Sequence, residues 1–180
     1  VIITITGLPG SGKTSVGKVL AKKLHIKFFS IGNMVREYAK ENKISLMEME
    51  KLIKNNKSMN KKIDDKQKKL LKKYKNFIID SRIGAAIFKK ADFRVYLHAS
   101  LKKRAERIAK REKKSLKQAL HETTIRERDE LQQYRKHYGI DYRNRKYYNI
   151  FLNTENLDER DTADIIIKKI SQENKNNIHY

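Results

Sequence analysis

Apolar residues along the chain fall into two patterns that alternate. Short unbroken runs occur at residues 1–6, Val-Ile-Ile-Thr-Ile-Thr, at 77–80, Phe-Ile-Ile-Asp, at 93–97 and at 149–153, with a shorter one at 27–30. Runs of this length, rich in β-branched residues, suit strands buried on both faces of a parallel sheet. Between them the apolar positions take a helical period. Val16, Val19, Leu20 and Leu24 mark a helix over 13–24. Further helices are predicted over 33–41, 45–54, 58–74, from Ser100 onward, 115–137 and 160–170. Ser45 with Glu48, and Ser115 with Gln118, read as capping boxes, and Asn33 as the cap of the helix at 33. The stripe of the 58–74 helix is thin, only Ile63, Leu70 and Leu71. After Ser171 the pattern fades, and residues 172–180 are expected to be a frayed tail.

Strands that alternate with helices predict an α/β fold with a parallel sheet of about five strands. Ligands of such sheets sit at the carboxyl ends of the strands. Residues 7–14, 30–36, 80–82 and 98–104 should therefore meet at one site.

Length and composition narrow the picture. A chain of 180 residues predicts one domain, 1–171, with small inserts. The absence of cysteine excludes a disulfide scaffold, thiolate metal sites and a cysteine nucleophile. No apolar run approaches the roughly 20 residues of a membrane span. No membrane partner and a cytoplasmic location are expected. The five histidines show no metal-ligand spacing. The net charge of +22 admits either a polyanion partner such as RNA or a solvated lysine-rich surface. Ten lysines lie between Lys54 and Lys75 with no aromatic until Tyr74. A nucleic-acid face would interleave stacking groups, so the solvated surface is favoured over RNA binding.

The chemistry concentrates after the first strand. Gly7-Leu8-Pro9-Gly10-Ser11-Gly12-Lys13-Thr14 matches the phosphate-loop pattern G-x-x-x-x-G-K-[ST], with Ser15 next in the helix. Its glycines let backbone N–H groups point inward around phosphates, and the following helix presents its positive end to them. Lys13 reaches the β- and γ-phosphates of a nucleotide, and Thr14 is placed to ligate Mg²⁺. Asp80 ends a hydrophobic strand, the pattern of a carboxylate that holds Mg²⁺ beside that loop, or else a plain cap of the next turn. Arg36 follows a strand by a few residues, either to grip a second phosphate or to pair with Glu37 at the surface. Arg104, Arg107 and Arg111 form one stripe of a helix.

Taken with this loop, Ser30-Ile31-Gly32-Asn33-Met34-Val35-Arg36-Glu37, Ile79-Asp80-Ser81-Arg82, Arg104 to Glu112, and Tyr138-Gly139-Ile140-Asp141 resemble the nucleoside monophosphate kinases. The similarity is closest to the archaeal-type cytidylate kinases and runs from Val1 to about Ile170. It implies a P-loop NTPase-type three-layer sandwich with a helical monophosphate-binding insert at about 31–75 and a lid at about 110–128. The activity implied is ATP-dependent phosphorylation of CMP and dCMP, with ATP as donor, Mg²⁺ as cofactor and a monomeric chain. On the resemblance, Ser30, Gly32, Arg36 and Arg82 bind the acceptor, Arg107 packs on the donor adenine, and Arg111 and Arg126 close onto the phosphates. Asn33 departs from the family's usual Asp. Lys61, Asp64 and Gln67 share one side of the insert helix, placed to bond a pyrimidine edge or simply to face water. The rivals are an AMP or UMP kinase and an RNA- or ribosome-associated NTPase.

Overall fold

The computed structural model describes residues 1–176. Five strands, β1 (Ile2–Gly7), β2 (Lys27–Ser30), β3 (Phe77–Asp80), β4 (Phe93–His98) and β5 (Ile150–Asn153), form one sheet in the order β2-β3-β1-β4-β5. Every pairing is parallel, so all carboxyl ends lie along one edge. The helices are α1 (Lys13–Leu24), α2 (Ile31–Glu41), α3 (Leu46–Asn55), α4 (Lys57–Lys73), α5 (Gly84–Ile87), α6 (Leu101–Glu112), α7 (Leu116–Tyr138) and α8 (Glu159–Asn176).

The strand residues explain the layering. In β1, Ile3 and Ile5 are fully buried, and so are Thr4 and Thr6 on the opposite face. Ile3, Ile5, Ile78, Val95 and Leu97 pack under Val16 and Leu20 of α1 and Ala163, Ile166 and Ile170 of α8. On the other face Phe77, Ile79 and Phe88 form a second cluster, joined by Leu70 and Tyr74. Burying each such side chain contributes about 1.5–3 kcal/mol. Gly17 shows how close α1 sits to the sheet: a Cβ there would lie 2.3 Å from the Phe28 ring. A Gly17→Ala exchange would force the two apart.

Several predicted boundaries move. Helix α2 begins at Ile31 and is capped by Ser30, whose Oγ accepts the Asn33 N–H at 3.2 Å. Asn33 is therefore inside the helix and not its cap; Ser30, extended at the end of β2, already has cap geometry. The Ser45–Glu48 capping box is complete. At Ser115 only half of the box forms, because the Gln118 amide turns along the helix to Glu122 at 2.9 Å. The one-turn α5 is too short to show a period. Helix α8 continues to Asn176, beyond the predicted end at 170, because polar turns added to a docked helix need no apolar stripe. Of the tail predicted over 172–180, residues 172–176 are helical and residues 177–180 lie outside the described residues, as does the side chain of Leu71. Among the described residues no helix is long and apolar enough to cross a membrane.

Candidate active site

Between β1 and α1 the backbone makes the loop that the sequence pattern predicts. Gly10 takes φ 80°, and a Cβ there would lie 2.5 Å from the Arg104 carbonyl. Gly7 and Leu8 shape the loop from behind: a Cβ on Gly7 would sit 2.2 Å from the Leu97 carbonyl, and the Leu8 carbonyl accepts Lys13 Nζ at 2.8 Å. Two side chains brace the loop. Arg104 donates to the Pro9 carbonyl at 3.1 Å, and Thr154 Oγ1 lies 3.2 Å from the Ser11 carbonyl. A carbonyl drawn outward turns the next residue's amide inward, because the peptide unit is planar and trans. The Pro9 carbonyl is held in this way by the buried Arg104, which turns the Gly10 N–H to the opposite side.

Asp80 and Thr14 meet at the mouth of this loop. Thr14 Oγ1 donates to Asp80 Oδ2 at 2.6 Å and Ser30 Oγ donates to the same oxygen at 2.9 Å. The three groups are hard oxygen donors converging on one point, the chemistry magnesium prefers. Asp80 does not cap the turn that follows it.

Around that point stand cations with few counter-charges. Burial, then the nearby Arg82, pushes the Lys13 ammonium pKa well below its ordinary value, against Asp80 and Glu130. Burial, then Arg111 and Arg126, lowers Arg36 as well. Arg36 donates to Asn33 Oδ1, not to Glu37. Arg82 pairs with Glu130 at 2.7 Å, and Arg126 bridges Glu50 of α3 and Glu130 of α7. The Arg126 Nε is buried without an aligned acceptor. Cations held this close favour an anion of more than one charge among them.

Two cavities open onto this cluster. One, of about 390 Å³, runs between α3, α4 and α7 and includes Asp64 and Gln67 in its wall. The other, of about 700 Å³, lies over the loop from Pro9 to Ser15 and reaches Thr154–Glu159. Gly32, Asp80, Arg82 and Arg126 line both, so the cavities join there. Arg36, Arg107 and Arg111 line the second. Arg107 is held by the carbonyls of Thr154 and Leu157, whereas Arg111 is half exposed and paired with Glu112. Ser30 lines neither cavity and acts on Asp80. Lys61 is exposed and outside both. Among the described residues there is no cluster of metal-binding side chains of His, Cys, Asp or Glu.

Three participants escape the sequence reading. Arg104, read there as part of one stripe with Arg107 and Arg111, is 3 % exposed and turns to the loop and to Glu127 at 2.8 Å. Glu130 lies in a long polar helix with nothing to mark it. Thr154 follows β5 directly, so the strand-end rule that singled out the other segments was enough to find it.

Comparison with known proteins accounts for this arrangement. The family model described as "Cytidylate kinase-like family" matches residues 2–156. The cytidylate kinase of Sulfolobus acidocaldarius is 40% identical over 173 residues, covering 96% of this chain and 95% of that protein. That of Sulfurisphaera tokodaii is 37% identical over 179 residues, covering 99% of each. Among solved structures, an uncharacterized protein from Eubacterium ventriosum aligns with TM-score 0.72 at 20% identity, over 95% of this chain and 98% of that one. Shikimate kinase from Acinetobacter baumannii in complex with shikimate aligns with TM-score 0.62 at 18% identity, over 96% and 93%. These two likenesses speak to the fold alone, an α/β sandwich. The sequence relatives extend over the braced loop, the shared cluster of Arg82 and Arg126 and the cavity walls alike, and on that footing the chain belongs to the cytidylate kinase-like family.

Proposed function

We propose that this protein transfers the γ-phosphoryl group of ATP to CMP, and also to dCMP, releasing ADP and the nucleoside diphosphate. The observation that carries the reading is the junction of two cavities at Gly32, Asp80, Arg82 and Arg126, with the phosphate loop on one side. A donor over the loop and an acceptor in the α3–α4–α7 cavity would bring their phosphates together at that junction.

The acceptor needs no general base. The second pKa of a phosphate monoester is about 6, so its oxygen is already largely ionised. That oxygen forms the new bond to the γ-phosphorus as the bond to the β–γ bridging oxygen breaks, and the charge leaves on ADP. Catalysis is then alignment and charge neutralisation. Lys13 and the loop amides hold the donor phosphates; Arg82 and Arg126 hold the acceptor phosphate, joined from the donor side by Arg36, whose guanidinium lies against Gly32 at the junction. Arg107 takes the adenine side, and Arg111 swings in from the rim. Thr14 and Asp80 would hold magnesium, with Ser30 fixing the carboxylate, and the ion when bound supplies positive charge to the phosphate oxygens. Within a single kinase domain of residues 1–171, the insert at 31–75 and the lid at 110–128 close to exclude water from the phosphoryl group. One chain supplies both cavities, and we place it in the cytoplasm as a monomer.

A coupled assay with CMP, dCMP, UMP and AMP tests the reading. CMP and dCMP are expected to support ADP release, and no response to any of the four would end the kinase assignment. The two sides should also separate kinetically. Arg36→Ala is expected to raise KM for the monophosphate by about 10-fold or more, the loss of one charged hydrogen bond, with a much smaller change for ATP. Arg107→Ala should do the reverse. Variants that both weaken ATP and spare the acceptor would show that the sides are misassigned.

A further inference from the structure

A chain of hydrogen bonds runs along one wall of the acceptor cavity. Ser81 Oγ donates to Gln67 Oε1 at 2.7 Å. Gln67 Nε2 points to Asp64 Oδ1 at 3.5 Å, and the Tyr138 hydroxyl donates to Asp64 Oδ2 at 2.7 Å. Gln67, Asp64, Ser81 and Tyr138 all line the cavity.

The polarity of this chain is fixed. An ionised carboxylate only accepts, so a reversed Gln67 amide would set its oxygen against Asp64 Oδ1. The amide nitrogen therefore stays toward Asp64 and the amide oxygen toward Ser81. Tyr138 occupies one Asp64 oxygen with a short bond, while Gln67 touches the other only at a long distance. Asp64 Oδ1 keeps free accepting capacity, and the Gln67 nitrogen keeps a second N–H. The wall presents an acceptor beside a donor.

We propose that Asp64 and Gln67, held in this orientation by Tyr138 and Ser81, select the acceptor base, taking an amino-bearing base such as cytosine and rejecting uracil. The proposal rests on the kinase reading above. Cytosine offers its N4 amine, a donor, next to N3, an acceptor, and matches the wall at both points. Uracil offers O4, an acceptor, next to N3–H, a donor, and is opposed at both. A base that leaves buried polar groups unpaired is rejected far more strongly than one that merely fits less well. Adenine carries the same donor–acceptor edge as cytosine, so the discrimination made here is amino against carbonyl base.

The test is the ratio of kcat/KM for CMP to that for UMP, in the wild type, in Asp64→Asn and in Tyr138→Phe. A general loss of packing lowers both values together and leaves their ratio alone. In Asp64→Asn the Tyr138 hydroxyl still donates to the side-chain oxygen, which leaves the new NH₂ as a donor where an acceptor stood. The CMP:UMP ratio is expected to fall by about 100-fold. Tyr138→Phe releases Asp64 and is expected to lower the ratio by a few-fold; if Asp64→Asn does not fold, this variant decides alone. A folded, active variant with the wild-type ratio would overturn the proposal, as would a wild type that uses UMP as well as CMP, and in both cases the kinase reading stands. A wild type inactive with every acceptor would remove that reading and this one with it.

Discussion

Lys13→Ala is expected to lower kcat by about 10² or more and to leave the protein folded. The lysine is 6% exposed, and its Nζ is bonded within the loop it would serve. In the transition state charge moves onto the oxygens between the β- and γ-phosphorus, where a fixed ammonium acts in a site that excludes water. An interaction made mainly there appears in kcat rather than in KM. The fold should tolerate the loss, because burial and Arg82 already work against the charged form of Lys13. A group whose folded pKa is depressed below its unfolded value detracts from stability at neutral pH when it is a cation, so truncation removes an unfavourable term. Single-turnover rates and a thermal melt together check this. Wild-type turnover in the variant would sink the proposed role of the loop.

The second large effect is expected at Glu130, in stability first. Burial alone would raise its pKa, but Arg82 and then Arg126 more than offset this and hold it at about 2. Glu130→Gln removes the shared counter-charge of two arginines, and breaking a buried pair in this way destabilises by about 3–5 kcal/mol. Arg82 and Arg126 would also lose their aim, so acceptor KM should rise. The pH dependence has a definite sign. A carboxylate with a depressed folded pKa lends stability that is fully present above its unfolded value, near 4.5, and is lost as the pH falls through about 2. Denaturant midpoints measured from pH 7 down to pH 3 should therefore decline in the wild type below about 4.5, and less steeply in Glu130→Gln. Equal midpoints at pH 7 would show that the pair contributes nothing to the fold.

The difference between Lys13 and Glu130 also shows what a sequence discloses. Lys13 stands in a loop whose glycines, strand and helix each restrict the others, so eight consecutive residues declare both a conformation and a ligand. The strands are readable for a related reason: burial on both faces leaves no charged residue in Ile2–Gly7, and in Phe77–Asp80 only the one that ends the strand. Glu130 belongs to a helix of 23 residues that is polar almost throughout, where a buried carboxylate looks like its solvated neighbours. Only the folding of Arg82, 48 positions earlier, against it gives it a meaning. The role of Arg104 needs the fold, because helical spacing says which residues share a stripe but not which of them turns beneath a loop. The cap of α2 lies three residues before the predicted Asn33, since two polar residues, Ser30 and Asn33, both satisfy the local rule and only the end of β2 decides between them.

Helix α7 has a consequence of another kind. Within one stretch it carries Glu127, which grips the arginine that braces the donor loop, Arg126 and Glu130, which set the arginines of the junction, and Tyr138, which orients the base wall. A helix is stiff over such a length, so these groups travel as one rod. If ATP draws the rod toward the loop, the acceptor's contacts move with it, and the reverse holds equally. Linkage then requires symmetry: whatever factor ATP contributes to the affinity for the monophosphate, the monophosphate must return to ATP. Calorimetric titration of each nucleotide, alone and with a non-transferable analogue of the other present, should give two ratios of the same size. A rod that couples the two ends would make them differ from one; a floppy one would leave both at unity.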